Sequence, residues 1–175
     1  MPFTDFLRTT VLLCSGAATA LAVVAIAGAR ADDETAPLYV ALGWWAAAAL
    51  IGLWLGRRPD VTEGIGRLLA SSRATQTLPE LQPGTIVFNR LWMLLAGTIL
   101  AGAVAFLLPQ VPAIMAGFCL LVALAWRRQS RAVEAVEQRD GVRFWIEPTS
   151  PFKPTQLIRT PGFRRNEPAP RDVGA

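Results

Sequence analysis

Histidine is absent from this chain, and cysteine occurs only twice, at Cys14 and Cys119. The two thiols stand far apart in apolar stretches and show no ligand spacing. Zinc, haem and iron–sulfur sites therefore have no donor set here, and no metal or cofactor is expected. Both cysteines read as small apolar fillers. Charge is also scarce, at 17% of residues, against about 25% in an average soluble protein. It is missing entirely from four long blocks, Thr10–Ala29, Leu38–Leu55, Leu91–Leu108 and Val111–Trp126, none of which contains Asp, Glu, Lys or Arg. Ion- and proton-translocating proteins place ionisable groups inside the bilayer despite a cost of at least about 2.5–3.5 kcal/mol each. These blocks offer none. They also lack the paired acids of an intramembrane hydrolase, so no enzyme activity and no catalytic residue is expected.

The blocks themselves predict a membrane protein. Eighteen helical residues reach about 27 Å, close to the ~30 Å hydrocarbon core of a bilayer. Four such helices in a chain of 175 residues would leave too little polar surface for a water-soluble fold. The last block is shorter, but Pro112 suits a first helical turn and Trp126 suits the headgroup level. The expected fold is an all-α membrane protein with four transmembrane helices over residues 1–126. A short amphipathic helix follows in the inner loop 57–90, then a helix extension and one or two short strands over 127–163, and a disordered tail over 164–175. Ala29-Arg30-Ala31 resembles a signal-cleavage site, yet the apolar run before it exceeds the usual 7–15 residues, so the first block is read as a span.

The 17 basic residues are unevenly placed. Arg8, the loop arginines Arg57, Arg58, Arg67, Arg73 and Arg90, and every basic residue from Arg127 onward fall on one side of the four spans. Only Arg30 falls on the other, beside Asp32, Asp33 and Glu34. This is the positive-inside pattern, and it places both termini in the cytoplasm. The net charge of +4 is thus explained by the bilayer, not by nucleic acid, which is not expected as a partner. Arginine in place of lysine, with abundant Ala, Gly and Pro, points to a GC-rich bacterium and hence to its inner membrane. The expected partner is the lipid bilayer. Arg57, Arg58, Arg127, Arg128 and Arg131 stand at the level of its anionic headgroups, each contributing about 1 kcal/mol there.

Within the spans, small residues recur at four-residue spacing. Ala48, Gly52 and Gly56 form one ridge and Gly97 and Ala101 another, the close-packing pattern of membrane helices. Ser15, Thr19 and Thr98 are expected to bond to their own helix backbone. Trp44, Trp45, Trp54, Trp92 and Trp126 are expected at span ends as interfacial anchors.

On the inner side, Asp60 and Glu63 form a D-x-x-E capping pattern, and Val61, Ile65, Leu68 and Leu69 share a helical face. Gly64 and Gly66 weaken that helix by about 1 kcal/mol each relative to Ala, so it is expected to rest on the membrane. The last span is expected to continue as one helix to Asp140-Gly141. Beyond it, Val142, Phe144 and Ile146 alternate with Arg143, Trp145 and Glu147 at the period of a strand. Thr155–Arg159 offers a partner, while Thr85–Phe88 more simply extends a helix. Phe144, Trp145, Ile146 and Phe152 form an apolar cluster for docking, on this chain or on a partner. The functional expectation is a non-enzymatic interaction or accessory subunit, within a homo-oligomer or a larger membrane complex. The alternative is a transporter or channel component whose path forms on oligomerisation.

Overall fold

The structure is a computed structural model that describes residues 1–31, 36–57, 61–74, 83–105, 107–108, 110–147 and 155–161. Among these residues six helices and three strands follow in chain order: α1 (Phe3–Ala31), α2 (Ala36–Leu55), α3 (Glu63–Ala70), β1 (Arg73–Ala74), α4 (Pro83–Val104), α5 (Gln110–Trp126), α6 (Gln129–Asp140), β2 (Val142–Ile146) and β3 (Leu157–Pro161). Four helical stretches are long and apolar enough to cross a membrane: α1, α2, α4, and α5 taken together with α6 across the turn at Arg127–Arg128. Their outward surface fits that reading. Val40 is 73% exposed and Ile99 72% exposed, and a water-soluble protein rarely leaves so much large apolar surface uncovered.

Helix α5 is the central element. Its small residues Ala113, Ala116, Gly117, Cys119 and Ala123 are buried, and α1 and α2 pack along its length while α4 packs on α1 and α5. On α2, Ala48 is fully buried. A Cβ added at Gly52 would lie 2.9 Å from the carbonyl oxygen of Leu121, and one at Gly56 would run into the carbonyl oxygen of Leu124. Only glycine permits this approach of α2 to α5. On α4, a Cβ added at Gly97 would lie 3.2 Å from the Cε of Met115, and Ala101 is buried with Leu21 and Ala116. The hydroxyls of Ser15, Thr19 and Thr98 donate to the carbonyls of Val11, Ser15 and Leu94 at 2.8, 3.0 and 2.8 Å.

Two tryptophans depart from the interfacial expectation. Trp44 Nε1 donates to the carbonyl of Ile114 at 3.1 Å, and Trp45 Nε1 to that of Ala113 at 2.8 Å. The Trp44 ring lies directly against Gly117 and meets Phe118 edge-on at 5.2 Å. Apolar surroundings offer no other acceptor, so the indoles turn inward to the helix backbone and brace α2 on α5. Trp54 remains 65% exposed on the outer surface of α2.

The helix after the last span also differs from expectation. It breaks at Arg127–Arg128, which form a turn, and resumes as α6. The break puts Gln129 and Ser130 inside, where Gln129 Oε1 accepts the Thr62 N–H at 3.1 Å. Helix α6 ends at Gly141, whose φ of 63° is left-handed and whose N–H bonds to the carbonyl of Glu137. Glycine reaches that conformation without steric cost.

The sheet has three strands in the order β1-β3-β2. Strands β2 and β3 pair antiparallel, with Ile146 opposite Leu157 and Trp145 opposite Ile158. The additional strand, β1, comes from the inner loop and runs parallel to β3. Thr85–Phe88 belongs to α4. The sheet lies at the end of the bundle where α1 and α4 begin and α2 and α5 end.

Candidate functional site: the sheet end of the bundle

Helix α1 has 29 residues, about 44 Å at 1.5 Å per residue, some 14 Å more than a bilayer core requires. The excess lies at its start. Phe3 and Leu7 there join Met1, Ile65, Ile86, Val133, Phe144, Ile146 and Leu157 in one buried core. That core draws on the chain's first residues, the inner loop, the start of α4, α6 and both long strands. The first residues also extend the sheet. The carbonyl of Met1 accepts the Ile146 N–H at 3.1 Å, and Pro2 bridges Trp145, which covers the outer edge of β2.

The apolar face of α3 packs into this same core, Ile65 fully and Val61, Leu68 and Leu69 in part. This replaces the expectation of a helix resting on the membrane. Its first helical residue is Glu63, and Thr62 precedes it without a side-chain cap. Asp60 lies outside the described residues. Arg67 bonds Glu63 at 2.7 Å across one turn.

The docking cluster divides. Phe144 is 3% exposed and Ile146 is fully buried, so neither is available to a partner. Alternation along the strands puts both, with Leu157, on the core face. The opposite face carries Trp145, Ile158, Arg143 and Thr160, with Arg73 beside Ile158 on β1. Trp145 and Ile158 are half-buried, Arg73 and Arg143 exposed. Trp145 Nε1 donates to Thr160 Oγ1 at 3.0 Å, which fixes the indole across the strand pair. Phe152 lies outside the described residues.

Of the headgroup candidates, Arg57, Arg127, Arg128 and Arg131 are exposed. They gather where α2 ends and the α5–α6 turn begins, and Arg128 Nη1 reaches the carbonyl of Arg57 at 3.4 Å. Arg58 lies outside the described residues. Arg8 on α1 pairs with Glu134 on α6 at 3.2 Å, an exposed pair of at most about 1 kcal/mol.

One polar residue escaped notice in the sequence. Glu137 on α6 accepts the Phe144 N–H at 2.9 Å through Oε1 and so anchors β2. Burial raises its pKa above the ordinary carboxylate value, while the hydrogen bond from Phe144 works in the opposite direction. Its only sequence signal is a position one turn before the Gly141 stop.

No family model, curated protein or solved structure matches this chain. Its function must be read from the site alone.

Proposed function

We propose that this chain is a non-enzymatic multi-pass protein of a bacterial inner membrane, with both termini in the cytoplasm, that presents its small sheet to a protein partner as an accessory subunit. The carrying observation is the asymmetry of that sheet. One face is sealed in the chain's own core, while the other holds Trp145 and Ile158 between Arg73 and Arg143. Tryptophan and arginine are the residues most enriched at binding hot spots. The two guanidinium groups favour a partner segment with acidic residues beside an apolar anchor. The arginines at the α2 and α5 ends hold the sheet close to anionic headgroups.

A photoreactive amino acid at position 158 of the full chain tests this in cells. It should crosslink a single stoichiometric protein, and the crosslink should disappear when Trp145→Ala and Arg143→Glu are combined. A crosslink that survives both changes, or none beyond background, would reject the reading. The orientation has its own test. A reporter active only in the periplasm, fused after Ala175, should stay silent.

A further inference from the structure

At the end of the bundle opposite the sheet, α1, α2 and α5 enclose a cavity of about 630 Å³. Its origin is the small side chains of the sequence. Ala25, Ala41 and Ala113 meet with Trp45 in a tight cluster, and above it Ala29 and Ala36 leave the space between the helices unfilled. On the α2 side the lining runs from Ala36 to Trp45, nine helical rises or about 13 Å, against about 15 Å for half of a bilayer's hydrocarbon core. The cavity therefore has the depth of one leaflet.

The wall is mainly apolar. Among the described residues, apart from the two indoles, Gln110 is the one lining side chain with a hydrogen-bonding group, and it begins α5 at the end of the bundle. The indole N–H groups of Trp44 and Trp45 are already bonded to α5 carbonyls. Among the described side chains, none at the depth of the indoles offers a polar ligand a free donor or acceptor. The mouth carries Val40, 73% exposed, and Leu107, 81% exposed, so it is continuous with the apolar outer surface of the spans. Apolar cavities of about 150 Å³ already accept a benzene, and this one is several times larger.

We propose that the cavity holds one acyl chain of a phospholipid from the surrounding leaflet, with its headgroup at the level of Gln110. This rests on the reading of the four helices as membrane spans, whose separate test is whether the full chain stays in the membrane fraction after washing with alkaline carbonate. The chain enters sideways from the bilayer through the apolar mouth. Trp44 and Trp45 lie against its end.

Phosphatidylcholine brominated on its acyl chains is the probe, because bromine quenches indole fluorescence at contact. Titrated into the full chain in a mild detergent, it should quench a fraction of the fluorescence saturably, at one lipid per chain. Trp54→Phe should retain that fraction, and Ala29→Phe, which fills the cavity, should lose it. Quenching of the unaltered protein that rises only in proportion to the mole fraction of brominated lipid would overturn the proposal. That titration decides the matter even if Ala29→Phe fails to fold.

Discussion

Glu137 shows how one side chain ties two elements together at an electrostatic cost. Its carboxyl accepts the N–H of Phe144 in the middle of β2, but the position is partly removed from water and its pKa is raised. The folded protein therefore binds the Glu137 proton at a pH where the unfolded chain has released it. In that window stability falls as pH rises. The contribution is fully present below the unfolded value of about 4.5 and is lost as pH rises through the higher folded value. Glu137→Gln keeps an oxygen for the Phe144 N–H and has no charge to desolvate. The melting temperature of the native protein relative to that of Glu137→Gln should fall as pH is raised from about 4.5 toward neutrality. A constant difference would mean that the carboxyl is solvated. Glu137→Ala should be destabilised by about 1–3 kcal/mol at every pH, since it leaves the Phe144 N–H without its partner.

At the scale of elements, two glycines on two helices make opposite predictions. A Cβ at Gly52 meets the backbone of α5, with Leu121 O at 2.9 Å, and backbone cannot step aside. Gly52→Ala should push α2 off α5 and destabilise the protein by about 1–3 kcal/mol. A Cβ at Gly97 meets only the flexible end of Met115, at 3.2 Å. Gly97→Ala should be neutral, or more stable by up to about 1 kcal/mol through better helix propensity. Unfolding of both variants in the same detergent gives the comparison directly. The ridge of small residues on α2 was legible in the sequence, whereas the helix it meets was not, because spacing carries no information about a neighbour. The four apolar helices were legible for a stronger reason, since lipid tolerates only one composition along a whole span. Strand β2 showed its period of two. Strand β1 has only two residues, Arg73–Ala74, which is too short for any period, and it exists only because β3 lies beside it. The inward turn of Trp44 was hidden in the same way: it depends on Gly117, far along the chain, leaving room for its ring.

For the whole molecule, the decisive feature is that the sheet is not an independent tail. Two long strands alone would be marginal in water. Here they are sealed by Phe3 and Leu7 from the start of α1, Ile65 from α3, Ile86 from α4 and Val133 from α6. Any change that loosens this core should release the sheet while the apolar spans stay folded, because most span-to-span packing lies in separate clusters around Leu21, Ala101 and Ala116 and around Ala25, Ala41 and Ala113. Leu7 is the sharpest probe, being 1% exposed and on the part of α1 beyond the apolar block. Leu7→Ala removes a fully buried side chain, at a cost of about 2–5 kcal/mol. In the native protein, trypsin should cut slowly after Arg143 and Arg159, which lie within paired strands. In Leu7→Ala both sites should be cut markedly faster, while the helical circular dichroism of the spans stays close to native. Equal cleavage rates in the two proteins would show that α1 and the sheet are uncoupled, and the shared core would then not be what holds the strands in place.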